Sequence, residues 1–116
     1  MDVVNLAAKL ALFDSHWDPH VVAAYNGNDV MVVKFVGEFP FHEHPDTDDF
    51  FLVLEGEVFL DVEDQTLRLG PGELFIVPAG MRHRPRAEAE AKVLLIEPQG
   101  TPNTGDPATA AAKPRI

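Results

Sequence analysis

The sequence predicts an all-β domain, a sandwich or closed barrel, entered through one short helix. Three observations carry this. Short β-branched and aromatic segments recur along the chain, with Gly, Pro and Asn-Gly turns between them at near-regular spacing. Hydrophobic residues make up 46% of the 116 residues, enough for one core. There is no cysteine, so neither disulfides nor thiolate metal ligands enter the argument.

The elements follow in order. Leu6, Leu10 and Phe13 keep i, i+4, i+7 spacing, one stripe of an amphipathic helix. Asn5 is its expected N-cap, and Asp14, Ser15 and Asp18-Pro19 end it. Its expected role is to cover one opening of the β core. Val21 to Tyr25 is a short strand, and Asn26-Gly27 opens a tight turn. Val30 to Val36 is β-branched and apolar. After a bend at Gly37 to Pro40, Phe41 to His44 reads as a short strand and Pro45 to Asp48 as a polar loop. Phe50 to Leu54 and Val58 to Val62 flank Glu55-Gly56-Glu57. Thr66 to Leu69 leads into Gly70-Pro71-Gly72, and Glu73 to Val77 into Pro78-Ala79-Gly80. Arg82 to Arg84 and Lys92 to Glu97 read as two further strands. The expected division is a helix and lead-in over 1–20, a barrel over 21–98, and an extended or disordered tail over 99–116. That tail is punctuated by Gly100, Pro102, Gly105, Pro107 and Pro114.

Composition excludes several roles. With 19 acidic and 9 basic residues the formal charge is −10, which argues against nucleic acid and anionic membrane surfaces as partners. The one basic cluster, Arg82, Arg84 and Arg86, is too small to reverse that. No apolar run is long enough to span a bilayer. Asp2 and Lys9 spoil the apolar N-terminal stretch as a signal peptide, so the expected location is cytoplasmic.

Chemistry concentrates in His42-Glu43-His44, Asp49 and His83. Side chains alternate along a strand, so His42 and His44 project to one side and Glu43 to the other. In the next strand Asp49, Phe51 and Val53 share a face, opposite Phe50, Leu52 and Leu54. One face can therefore collect His42, His44, Asp49 and His83, walled by Phe51 and Val53. Three imidazoles and a carboxylate suit a divalent transition metal (Fe, Mn, Ni, Co, Cu or Zn) rather than Ca or Mg. The plainer reading is solvated histidines, expected for His16 and His20, and an acidic loop at Asp46, Asp48 and Asp49.

The glycines and prolines around these residues are also placed. Gly37, His42, His44, Asp49 and Gly56 resemble the first motif of the cupin superfamily, G-x5-H-x-H-x(3,4)-E-x6-G. The gap from Gly37 to His42 is one residue short, and Asp49 replaces Glu. Gly72, Pro78, Gly80 and His83 match the second motif, G-x5-P-x-G-x2-H-x3-N, with Ala87 in place of the final Asn. The match covers roughly residues 30 to 97. The resemblance implies a double-stranded β-helix, a jelly-roll barrel with a metal at one end, and assigns His42, His44, Asp49 and His83 as its ligands. Gly56 and Gly80 fall where tight turns want positive φ.

The sequence expectation is a metal-binding protein that acts on or binds a small molecule. A dioxygenase, isomerase or decarboxylase is the enzymatic form, and a ligand or metal sensor is the non-catalytic one. The apolar wall would include Phe35, Phe51, Val53 and Met81. Lys34, Tyr25 or Glu97 would be the acid/base partner. Many small cupins are labelled mannose-6-phosphate isomerase-like. A phosphate would need cations such as Lys34, Arg82, Arg84, Arg86 or Lys92. The apolar outer face at Phe50, Leu52 and Leu54 implies a homodimer.

Overall fold

A computed structural model describes residues 2–116. Seven antiparallel strands follow one short helix: α1 (Leu6–Leu10), β1 (His20–Tyr25), β2 (Asn28–Glu38), β3 (Asp49–Glu55), β4 (Val58–Val62), β5 (Gln65–Leu69), β6 (Leu74–Val77) and β7 (His83–Pro98). The strand order is β1-β2-β7-β3-β6, and β4 pairs with both β5 and β7. This is the expected all-β jelly roll.

Turn chemistry sets the hairpins. Asn26 and Gly27 both have positive φ, at 48° and 77°, so they join β1 to β2 as the primed turn that matches strand twist. Glu63, at φ 53°, does the same work between β4 and β5. Gly56 ends β3 at φ 86°, and a β-carbon there would sit 3.0 Å from Ala91 Cα and Glu90 O. Only glycine fits that crossing.

β7 holds the barrel together. Its first residues, His83 to Arg86, pair with Val62 to Phe59 of β4, while Lys92 to Leu94 pair with β3. β2 runs along most of its other side, with a register shift between Phe35 and Gly37. The sequence reads Arg82 to Arg84 and Lys92 to Glu97 as separate strands, but they are the two ends of this one. The Ala/Glu run between them has little strand propensity, and pairing with β2 at its two flanks, Ala87 with Gly37 and Ala91 with Phe35, carries the strand across it. The expected strand at Phe41 to His44 reduces to a single bridge, His42 with His83, because Pro40 and Pro45 remove the flanking donors.

The interior holds Met31, Val33 and Phe35 of β2, Phe51 and Val53 of β3, Val58 and Leu60 of β4, and Val93 and Leu95 of β7. The alternation expected for β3 is present: Asp49, Phe51 and Val53 are buried, and Phe50, Leu52 and Leu54 are half-buried. α1 begins at its Asn5 cap, whose side chain accepts from Ala8 N at 2.9 Å, but ends at Leu10, short of Phe13. It does not cover a barrel opening. Leu10 packs with Val22 and Val32 on the outside of the sheet, joined there by Ile116. His20 is 7% exposed, contrary to the solvated expectation, and stacks on Phe13 at 3.8 Å. His16 is at the surface, 2.7 Å from Glu90.

Candidate metal centre

Two chain segments are stitched together to make the centre. His42 N donates to His83 O at 3.0 Å, and His83 N donates back to His42 O at 2.9 Å. Gly80 N donates to His44 O at 2.8 Å, fixing the second motif's turn against the first motif. Asp49 enters as the first residue of β3, in register with Val77.

The ring orientations follow from hydrogen bonds on the far nitrogens. His42 Nδ1 lies 2.9 Å from Pro40 O, and His83 Nδ1 lies 2.9 Å from Met81 O. Each Nδ1–H donates to a carbonyl and turns Nε2 inward. All three Nε2 atoms then face Asp49 Oδ2, at 2.8 Å from His83, 3.2 Å from His44 and 3.9 Å from His42. One ligand atom from each of the four residues lies within 4.8 Å of all the others. The four side chains are at most 6% exposed. Asp49 thus reaches the centre although it is one methylene shorter than the carboxylate of the family motif. Asp48 faces away, as alternation predicts, and its Oδ1 accepts from Ala79 N at 2.9 Å.

This arrangement fits a metal better than it fits itself. His44 Nε2 is buried and, despite its nearness to Asp49, makes no hydrogen bond. The 3.2 Å contact with Asp49 recovers only part of the about 1–3 kcal/mol that an unsatisfied buried polar group costs, and a ligand bond would offset the remainder. Three imidazole nitrogens and one carboxylate oxygen suit a divalent transition metal and leave coordination positions open.

The electrostatics are those of a desolvated cluster. Burial, aided by the charge of His83, pushes His42 down to about 4, so this ring is neutral and ready to ligate. Burial also opposes charge on His44, but the Asp49 carboxylate outweighs it and raises that ring. Burial would raise Asp49, yet its contacts with His44 and His83 prevail and hold it low. Burial and then the Asp49 charge raise Glu97, partly countered by Lys113.

Beside the cluster is a small cavity, with about 30 Å³ of room for water centres. Trp17, Phe35, Phe39, Phe51 and Leu95 form its apolar wall, and Glu97 and Asn103 its polar one. Phe35 and Phe51 are where the sequence predicts, while Val53 packs within the core and half-buried Met81 against it, neither lining the cavity. Of the three acid/base candidates only Glu97 reaches it. Tyr25 is 66% exposed, and Lys34 points to the outer side, donating to Phe13 O at 2.6 Å. Trp17, Phe39 and Asn103 are absent from the sequence reading. The solitary Trp was one available signal, but its position depends on a left-handed backbone (φ 56°) and on Nε1 donating to Val36 O at 2.8 Å.

Comparison with known proteins agrees with this geometry. The cupin-domain family model matches residues 29–97, and the chain belongs to that family. It is 35% identical over 77 residues to the uncharacterized protein YdbB of Bacillus subtilis, covering 66% of this chain and 68% of that protein. A cupin-2 domain containing protein from Shewanella frigidimarina is 42% identical with a TM-score of 0.83, covering 84% of this chain and 95% of that chain. Protein NMB1881 from Neisseria meningitidis is 29% identical with a TM-score of 0.77, covering 84% and 100%. Hydroquinone 1,2-dioxygenase from Sphingomonas sp. TTNP3, at 23% identity and a TM-score of 0.75, shares the fold; the match covers 84% of this chain and 32% of that one.

Proposed function

We propose that this protein is a metal-dependent cupin that binds, and acts on, a small and largely apolar molecule at a centre formed by His42, His44, Asp49 and His83. The observation that carries the proposal is the inward convergence of three Nε2 atoms on one buried carboxylate, with His44 Nε2 3.2 Å from that carboxylate but without an aligned hydrogen bond to it. When bound, a divalent transition metal supplies Lewis-acid or redox chemistry to an oxygen function of the ligand. Phe35, Phe39, Phe51 and Trp17 exclude water and hold the apolar part. Glu97 is the carboxylate placed to exchange a proton with the ligand.

A sugar-phosphate isomerase is less well supported. Among the described residues, no Lys or Arg lines the cavity. Arg84 and Arg86 bind Asp61 at 2.8 and 2.9 Å, Lys92 binds Glu55 at 2.8 Å, and Arg82 lies over the Phe41 ring. A phosphate dianion would have no free cation there. No observation favours the sensory reading over the enzymatic one.

The proposal includes a homodimer in the cytoplasm. No helix among the described residues is long and apolar enough to cross a membrane. On the outer sheet face Leu74 and Ile76 of the edge strand β6 are 54% and 45% exposed, beside half-buried Phe50 and Leu52. A second copy would cover both this patch and the open edge.

The test is metal content by elemental mass spectrometry of tag-free protein and of His42→Ala. Near-stoichiometric metal in the wild type and its loss in the variant are expected. An empty wild type that also gains no thermal stability from added Fe, Mn, Ni or Zn would refute the proposal.

A further inference from the structure

The segment 99–116 does not trail away from the barrel. Val21 N donates to Pro114 O at 2.8 Å, and Ile116 N donates to Val21 O at 3.0 Å, so its far end is a parallel addition to β1. Between that anchor and Pro98 the segment crosses the end of the barrel that holds the metal centre. Asn103 lines the inner cavity, and its Oδ1 accepts from Ala111 N at 2.9 Å, closing the segment on itself. Lys113 Nζ lies 3.1 Å from Glu97 Oε2 and also donates to Thr101 O, and both ionic side chains are largely buried. Gly105, at φ 78°, rests on the backbone of Glu43, between His42 and His44. A β-carbon there would overlap the Glu43 carbonyl oxygen.

Access to the site then poses a steric problem. The inner cavity, at about 30 Å³, admits a water or two beside the ligating atoms and nothing ring-sized. Some wall has to move for a larger molecule to enter. Most walls are strands tied into ladders. The strap is fastened at its two ends, by Gln99 N donating to Gly27 O and, at the far end, by the two bonds to β1, Lys9 Nζ donating to Ile116 O, the Arg115–Asp29 pair and Ile116 packed beside Leu10. Its middle is held only by the Lys113–Glu97 pair and the Gly105 contact. It is therefore the wall that opens at least cost. Outside it, a cleft of about 410 Å³ between residues 44–47 and 98–107 runs up to His44.

We propose that residues 99–116 form a lid over the metal centre, latched by Lys113–Glu97 and seated by Gly105 on Glu43, and that metal and ligand enter by its displacement. The metal part rests on the function proposed above. The closed lid also makes Asn103 a specificity-determining residue, because it faces whatever occupies the cavity. Opening separates Lys113 from Glu97 and presents that carboxylate to the incoming molecule.

Gly105→Val unseats the lid and Lys113→Met releases the latch, and neither alters a proposed ligand. Stopped-flow mixing with Ni²⁺, and release to a chelator, give the two exchange rates. A lid that gates without taking part in binding predicts that association and dissociation both rise on the order of tenfold, with Kd within about threefold of wild type. Wild-type rates in both variants, or a weaker Kd at unchanged association rate, would overturn the lid. Acrylamide quenching of Trp17, the only Trp, reads the same cavity without metal. Stronger quenching in Lys113→Met supports the lid, and unchanged quenching refutes it, even if the wild type takes up no Ni²⁺ and the metal reading fails by itself.

Discussion

Replacing Asp49 by Ala separates the metal-ligand role of this carboxylate from its structural one. In the metal-free protein Asp49 accepts from His83 at 2.8 Å, a bond to a charged group worth about 1.5–3 kcal/mol. Removing it also relieves the burial of a carboxylate that is 4% exposed, which offsets part of the loss. The metal-free variant is therefore expected to lose about 1 kcal/mol net, or about 4 °C in a domain of this size. The metal-dependent difference is larger. At a metal concentration of about 100 Kd the wild type gains about 2.7 kcal/mol, or about 11 °C. Losing one of four ligands weakens binding by about 100-fold, the upper end of what removing a mere supporting partner costs. At the same concentration the variant then gains only about 0.4 kcal/mol, or about 2 °C. Differential scanning fluorimetry with and without Ni²⁺ or Mn²⁺ measures both shifts. A metal-induced shift in Asp49→Ala equal to that of wild type would show that three histidines suffice and that Asp49 is no ligand.

Two further outcomes are expected. Asp61, 8% exposed, accepts from Arg86, Thr66 and Arg84, which hold its carboxyl far below the ordinary range. Because its folded value is depressed, its contribution is present above about pH 4 and fades as pH falls below that. Urea unfolding should show Asp61→Ala about 2 kcal/mol less stable at pH 7, with the gap narrowing by pH 3; a gap that stays constant would refute the assignment. Ile76→Asp places a charge in the exposed patch on β6, and light scattering should show a dimeric wild type and a monomeric variant of unchanged secondary structure. A wild type that is monomeric at all concentrations would remove the dimer.

The lid changes how the tail is understood. The stretch 99–116 carries the Pro and Gly content of a chain without structure of its own. It is positioned by what it touches: a glycine that fits against Glu43, a lysine that meets a buried glutamate, and an isoleucine that joins Leu10 and Val22. Low intrinsic propensity is compatible with a specific seat, and it also keeps the seat easy to leave.

The local pattern of the chain determined strands β1 to β6, the Asn26-Gly27 hairpin, the turn at Gly56 and the two-face alternation of β3, because each depends on residues adjacent in sequence. It also placed Asp49, Phe51 and Val53 on one face by the period of a strand, whereas His42 and His44 are brought to that face by the bridge of His42 to His83 and the Gly80–His44 hydrogen bond. Only the tertiary structure decided what encloses them. The continuity of β7 comes from its pairing with β2 on both sides of residues 88–90, at Ala87 with Gly37 and at Ala91 with Phe35, which carries the strand across an exposed irregularity. α1 sits on the outer sheet face because Val22 and Val32 leave an apolar surface there. Trp17, Asn103 and Lys113 reach the site from opposite ends of the chain, and no local spacing encodes that meeting. Strand periodicity is a property of neighbouring residues, whereas a cavity wall is assembled by chain closure from segments remote in sequence.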